Sequence, residues 1–526
     1  MKKILIAFTC LAMWHCVYAQ NKATGYVFED KNGNGKKDKG EKGLAAVGVS
    51  NGVDVVATDA NGKYELTVGN DNIVFVVKPS GYSVPVNENQ LPQFYYNHKP
   101  AGSPANFKYK GVAATGALPA FINFPLKPSA EPAQFTTLLF GDPQPYTQKE
   151  VEYFDRGIVS EVSGIKNISF GLSLGDLVGD DLSLHNPYIQ AVKKIGIPWY
   201  NVMGNHDMNY EAKADSLSDE SFEASFGPNT YSFNYGTVHF IILDDILYPD
   251  PRDGEGYQGG FRKDQLDFVE NDLKLVPKDQ LVVLAFHIQL QLNSNGFRKE
   301  DRDRLFFLLK DFPNTLSLSA HTHLQRNDFY DKKDGWLQDK PHHEYNAGTT
   351  SGDWYSGVMN EQGVPVSTMR DGTLKGYAFI RFDNNQYKID YKVAGKDSAY
   401  QMELYAPKVI PNKRPGSAAV YANFFMGKKG DKVEYRIGNA AWKNMVWIDN
   451  ADPTFVAALI KYDFSDTLIA GRRPSAPENC THLWQGKFPN NLSPGEHVIE
   501  VRATDMYGRT FTASRKISVE DAVSSR

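Results

Sequence analysis

The sequence predicts an α/β domain held between two all-β regions, and three observations carry that expectation. Between residues 131 and 398, apolar runs with strand character alternate with helical patterns, as an α/β domain requires. Residues 20–130 and 399–526 instead show short alternating runs separated by turn residues. Within the middle region, five apolar runs each lead into residues able to hold a metal ion. Strand ends are where an open α/β sheet collects its ligands.

At 526 residues the chain is expected to form two to four domains. With 41% hydrophobic residues it can bury a large core. A formal net charge of -5 argues against a nucleic-acid partner, which usually leaves a basic surface. The first 19 residues read as a signal peptide. Lys2 and Lys3 give a positive start, Ile4 to Trp14 an apolar stretch, and Val17-Tyr18-Ala19 a small-residue cleavage signal. Export to the periplasm or the extracellular space is therefore expected, with cleavage after Ala19. The apolar stretch is too short to span a bilayer, and no later one is long enough. His15 is too bulky for lipid attachment at Cys16. Cys10 and Cys16 leave with the signal, so Cys480 remains alone and no intrachain disulfide forms.

In the N-terminal β-domain (20–130), Gly48–Ser50, Val53–Thr58, Tyr64–Val68 and Ile73–Val77 alternate between Asn-Gly and Asp-Asn clusters. Asp30, Asn32, Asn34, Asp38 and Glu41 fall at positions 1, 3, 5, 9 and 12 of a twelve-residue calcium loop, with Gly35 at 6 and the Lys36 carbonyl at 7. Without flanking helical patterns, this reads as a calcium loop of a β-domain and not as an EF-hand. In the middle region (131–398), helices are expected over Glu150–Ser163, Asn186–Lys194, Arg262–Leu275 and Arg302–Lys310. In the last region (399–526), Val433–Ile437, Val498–Ala503 and Thr510–Ile517 suggest a β-sandwich.

The five metal-ligand segments are Asp142-Pro143-Gln144, Gly175-Asp176, Gly204-Asn205-His206-Asp207, His287 and Ala320-His321-Thr322-His323. They follow Phe135–Phe140, Ile168–Leu174, Ile197–Met203, Leu281–Phe286 and Thr315–Ser319. Carboxylates, amides and imidazoles at five strand ends describe a two-metal site, a common solution for phosphoester hydrolysis. In this order the segments resemble the calcineurin-like metallophosphoesterase superfamily, whose usual pattern is Asp-x-His, Gly-Asp, Gly-Asn-His-Asp/Glu, a lone His and Gly-His-x-His. The flanking β-domains look like those of an exported bacterial branch.

The resemblance implies a four-layer α/β sandwich of two mixed sheets flanked by helices. It implies that Asp142, Gln144, Asp176 and His323 hold one divalent transition metal, and that Asp176, Asn205, His287 and His321 hold a second, with Asp176 bridging. Manganese, iron and zinc all suit such ligands. It further implies hydrolysis of a phosphate ester by a metal-bridged hydroxide, with His206 near the leaving oxygen. Asp180 or Asp207 would orient His206; Gly179 stands where the protein phosphatase branch has its orienting Asp. Gln144 replaces the usual His, which implies a weaker first site. No Tyr follows Asp176 as in purple acid phosphatases.

Several further residues stay open to two readings. Trp354 and Tyr355 are candidates for a pocket wall or for buried loop aromatics. Arg326 and Arg370 suit a phosphate contact or an ordinary surface. Trp442, Trp447, His482 and Trp484 suit stacking on a sugar or base, or core packing. The expected substrate is a small-molecule, lipid or sugar phosphate ester. A diester substrate, or a non-catalytic glycan-binding or surface-binding role on the same scaffold, is the alternative.

Overall fold

The computed structural model describes residues 21–292, 296–413 and 415–521; the expected signal peptide lies outside them. All five ligand-bearing runs are strands, but they divide between two sheets. The first sheet has the order Trp199–Val202, Phe170–Leu174, Gln134–Phe140, Gly376–Asp383, Gln386–Val393. Its first three strands are parallel, with Leu139 opposite Leu172 and Leu172 opposite Tyr200. The second has the order Tyr231–Tyr235, Val238–Ile242, Leu281–Ala285, Asn314–Ser319, His342–Asn346, Arg326–Tyr330. Its four inner strands are parallel, and both edges are antiparallel.

These strands are apolar on both faces because both faces are covered. Every residue of Leu281–Ala285 and of Phe170–Leu174 is buried. Aromatic side chains fill the space between the sheets. Tyr200 stacks on Phe233 at 4.2 Å, and Phe170 meets Phe233 and Phe240 at 5.5 and 5.3 Å. Such pairs contribute about 0.5–1.5 kcal/mol each beyond area burial. Helices Gln148–Phe154 and His185–Val192 pack against the outer face of the first sheet, where Phe154 lies against Phe140 and Tyr188. Helices Lys263–Asp272 and Lys299–Leu308 lie beside the second. This is the expected four-layer sandwich.

The first expected helix starts at Gln148, capped by the Thr147 side chain, and loosens into a π-helical turn at Asp155–Val159. Two helices were not read from the sequence. Glu220–Phe226 belongs to the middle region. Pro453–Asp463 belongs to the C-terminal region, where the Asp452 side chain caps the Phe455 N–H and proline occupies the first turn.

The N-terminal region forms two four-stranded sheets, and its core is continuous with that of the middle α/β domain. Phe75 meets Phe268, and Phe94 meets Tyr231 at 5.1 Å. The C-terminal region is a sandwich of a four-stranded and a five-stranded sheet around a core of its own.

Candidate metal centre

Both sheets end at one place, and the five ligand loops meet there. Asp142 and Gln144 follow Gln134–Phe140, Asp176 follows Phe170–Leu174, and Asn205 and His206 follow Trp199–Val202. His287 follows Leu281–Ala285, and His321 and His323 follow Asn314–Ser319. The turns are tight. Asp142, Gln144, Asp176, Asp180, His321 and His323 all have positive φ, a conformation that is costly outside glycine and clusters at functional sites. The glycines beside them answer to close approach. A Cβ on Gly175 would lie 2.5 Å from His287 Nδ1, and one on Gly204 would lie 2.1 Å from the Asp176 nitrogen.

Two of the imidazoles are held from behind. His287 Nδ1 donates to the Leu174 carbonyl at 2.7 Å, and His323 Nδ1 donates to the Gly352 carbonyl at 2.6 Å. Their Nε2 atoms therefore point into the cluster, where each could give a lone pair to a metal once that nitrogen is deprotonated, as in a metal-ligating histidine. His287 Nε2 lies 3.3 Å from Asp176 Oδ2 and 3.2 Å from Asn205 Oδ1. His321 Nδ1 lies 3.2 Å from His287 Nε2, and His323 Nε2 lies 3.7 Å from Asp142 Oδ1. Ligand atoms of Asp176, His287 and His321 all fall within 4.8 Å of one another. Gln144 Nε2 lies 3.2 Å from Asp176 Oδ2, while its buried Oε1 has no hydrogen-bond partner.

The electrostatics fit a cation. Burial, with Asp176 beside it, pushes the Asp142 carboxyl up to about 8. Burial opposes charge on His287, but Asp176 and Asp142 outweigh it and lift the ring to about 10. Burial and the His287 charge hold His321 down to about 3. Two buried carboxylates, an orphaned amide oxygen and inward-facing imidazole nitrogens form a donor set for two divalent ions of the borderline class.

His206 stands beside the cluster with its ring partly exposed. Its backbone N–H donates to Asp176 Oδ1 at 2.9 Å, and its Nδ1 bonds Asp180 Oδ1 at 2.7 Å. Asp180 also accepts from the Tyr210 hydroxyl at 2.8 Å. Of the two carboxylates considered for orienting His206, Asp180 is thus the one in contact. Asp207 departs from its expected catalytic place. Its buried carboxylate accepts from the N–H groups of Leu177, Val178 and Gly204 and braces two ligand turns.

Trp354 stacks on His323 at 4.1 Å and lies beneath Arg370. Tyr355 is buried, and its hydroxyl donates to the Pro143 carbonyl. Arg326 pairs with Asp328 at 2.9 Å on an edge strand and does not reach the cluster. In the C-terminal sandwich, Trp484 and His482 are buried in the core, while Trp442 and Trp447 are half-buried, with Arg436 and Arg502 against Trp442 and Lys429 against Trp447.

Two supporting residues escaped the sequence reading. Asp245 accepts from the N–H groups of His287 and Ile288 at 3.1 and 2.8 Å. It follows the apolar run Val238–Ile242, a sixth strand end that could have signalled it. Glu344 accepts from Ser319, Tyr330 and the Leu290 N–H, joining two ligand strands; it sits inside a strand, where no spacing marks it.

Three family models match successive parts of the chain. They are the N terminal of calcineurin-like phosphoesterase at residues 31–112, calcineurin-like phosphoesterase at 135–325, and the C terminal of calcineurin-like phosphoesterase at 344–511. The chain belongs to the calcineurin-like phosphoesterases. It is also similar to the uncharacterized protein YvnB of Bacillus subtilis (strain 168), 24% identical over 371 residues, covering 63% of this chain and 27% of that protein. The chain thus spans about a quarter of the length of this curated relative. Among solved structures, it is similar to GAP50, the anchor in the inner membrane complex of Plasmodium, at 19% identity and a TM-score of 0.31, covering 50% of this chain and 85% of that one. Purple acid phosphatase PPD1 from yellow lupin seeds matches at 12% identity and a TM-score of 0.34, covering 71% and 66%.

Proposed function

We propose that this chain is a dinuclear-metal-dependent phosphoric ester hydrolase. The observation that carries the reading is the pair of backbone-anchored imidazoles, His287 and His323, presenting Nε2 to the buried carboxylates Asp176 and Asp142. Asp142, Gln144, Asp176 and His323 would hold one ion, and Asp176, Asn205, His287 and His321 the other. Manganese, iron or zinc in these places supplies Lewis acidity toward the phosphate and toward the attacking water.

The rest of the chemistry belongs to the protein. Asp180 fixes the His206 ring through Nδ1, leaving Nε2 to face the substrate. Burial opposes its charge, but Asp176 and Asp180 raise His206 to about 9. A protonated Nε2 is suited to donate to the leaving oxygen. Tyr146 packs edge-on against the His206 ring at 5.8 Å and limits its rotation. Hydrolysis of p-nitrophenyl phosphate and its bis-ester by metal-loaded protein tests the reading and separates monoester from diester. Neither ester being cleaved, by protein shown by elemental analysis to hold two ions, would favour the non-catalytic scaffold.

Two further readings rest on the sequence. The signal-peptide pattern supports export, which cell fractionation of the full-length protein tests. The loop Asp30–Glu41 supports calcium binding. Asp30 accepts from the N–H groups of Gly33 and Gly35, and Asp38 Oδ2 accepts from the amides of Asn32 and Asn34, both at 2.8 Å. Glu41 accepts from the N–H groups of Lys31 and Asp38. These bonds gather the side chains of Asp30, Asn32, Asn34, Asp38 and Glu41 in one loop, which supports the calcium reading.

A further inference from the structure

The C-terminal sandwich sends one segment back to the metal centre. Between helix Pro453–Asp463 and strand Asn479–Lys487, the chain crosses the loop that carries Trp354. Three hydrogen bonds pin it there. The Gly357 N–H donates to the Arg472 carbonyl at 2.7 Å, the Ser475 N–H to Asp353 Oδ2 at 2.7 Å, and the Glu478 N–H to the Arg370 carbonyl at 3.0 Å. Gly471 makes the closest approach. A Cβ there would lie 2.0 Å from the Gly357 carbonyl oxygen, and its φ is +103°. A crossing held this tightly fixes the place of the next residue, Arg472.

Arg472 lies at the rim of the centre. Its Nη1 is 3.4 Å from the Trp354 carbonyl, and the Trp354 ring stacks on His323 at 4.1 Å. Its charge also reaches the Tyr146 hydroxyl, where it opposes the rise caused by burial, Asp180 and Asp176. Tyr146 belongs to the other side of the centre: its ring meets His206, and its hydroxyl lies 3.3 Å from Gln144 Nε2. Arg472 is thus flanked by one residue that touches His323 and one that touches His206. Its charge is also free. Arg370, over the Trp354 ring, pairs with Glu478 at 3.1 Å, and Arg473 pairs with Asp463 at 2.6 Å. Among the described residues, no carboxylate pairs with the exposed Arg472 guanidinium.

We propose that Arg472 binds a second anionic group of the substrate, a carboxylate or phosphate on its alcohol part, while the scissile phosphate goes to the metals. This deepens the hydrolase reading and rests on its metal centre. A guanidinium offers paired donors in a planar fork that fits either anion. Arg472 touches Trp354, and Trp354 touches the ligand His323. A group reached by Arg472 therefore lies one side chain outward from the ligands, further along the substrate than the scissile phosphate. The C-terminal sandwich thereby supplies a specificity residue to the site, and phosphate esters with a second anion are the preferred substrates.

Analogues that cannot be hydrolysed test this apart from turnover. Calorimetric titration of the manganese-loaded full chain compares phenylphosphonate, 4-carboxyphenylphosphonate and 1,4-phenylenebisphosphonate. The two with a second anion should bind about tenfold more tightly, as one hydrogen bond between charged groups contributes. Their relative affinities rank carboxylate against phosphate as the second group. Arg472→Ala should bring the preference close to one while elemental analysis still finds two ions, and Arg472→Lys should keep part of it. Equal affinity of the wild-type protein for all three ligands overturns the proposal, and so does a preference that survives Arg472→Ala. A preference that depends on Arg472 in protein that cleaves no ester upholds the anion site and overturns the hydrolase reading. Cleavage of p-nitrophenyl phosphate by protein without the preference does the reverse.

Discussion

His206 is the residue whose role the geometry separates most sharply from its neighbours. It shares a four-residue segment with the ligand Asn205, yet its ring turns away to Asp180. His206→Ala should cut turnover by about 10²–10⁴-fold while keeping both metals, whereas His321→Ala should lose metal; elemental analysis of the two variants checks the division. Asp180→Asn should lower kcat with little change in metal content. Gln144 carries a second expectation. Its Oε1 is buried without a partner, and an imidazole nitrogen is the better donor to late first-row metals. Gln144→His should lower the manganese or zinc concentration giving half-maximal activity, and an unchanged titration would mean that position 144 is no ligand. The ligand residues were legible because each lies next to a strand end. Asp180 against Asp207 was not, because Asp207 adjoins His206 in sequence while Asp180 stands 26 residues before it, and only the tertiary fold brings Asp180 to the ring and turns Asp207 away.

Glu344 shows what a residue inside a strand can hide. Burial, with Asp328 adding to it, raises its carboxyl to about 7 from a normal 4.5. A folded-state value above the unfolded one gives stability that is complete below about 4.5 and is lost as pH rises through about 7. Glu344→Gln cannot titrate, so its stability relative to wild type should improve as pH rises from 5 to 8. Denaturant midpoints across that range measure it, and a constant difference would place the Glu344 titration elsewhere. Burial creates this behaviour, and burial of one polar residue in an apolar strand is set by the tertiary fold.

At the scale of elements, apolar runs and turn residues made most strands readable, and the ligand loops followed from them. The helices were less so. Glu220–Phe226 is short, and Pro453–Asp463 buries little beyond Phe455, so neither imposes a strong apolar stripe. The loop Asp30–Glu41 is the element whose spacing spoke most directly. Glu41 receives two backbone N–H groups and fixes the loop's end against its beginning. Wild-type protein should gain thermal stability at millimolar calcium, and Glu41→Ala should lose the part of that gain due to the loop while hydrolysis continues. A wild-type melting curve indifferent to calcium would leave the segment a polar hairpin. The measurement belongs in the full chain, because Phe75 of the N-terminal region packs on Phe268 of the catalytic domain.

That packing bears on the whole molecule. The sequence suggested three successive domains, and composition gave no sign that the first two share a core. Periodicity reports which face of a strand is apolar, not what covers it. Phe75 is wholly buried, touching Phe94 on one side and Phe268 on the other. The C-terminal sandwich instead closes around Trp484, Phe424, Ile499 and Val501. It meets the catalytic domain through polar contacts such as His482 with Asp371 and Arg509 with Asp390, with Phe425 and Met426 reaching into the larger core. Calorimetry should therefore resolve two transitions, one for residues 21–398 and one for the sandwich. Phe75→Ala should cost about 3–5 kcal/mol and lower the first transition with the metal centre's unfolding inside it. Trp484→Ala should lower the second and leave the first nearly in place. If Phe75→Ala shifts only a small transition while the centre keeps its melting temperature, the N-terminal region unfolds independently. The continuous core would then not couple it to the site.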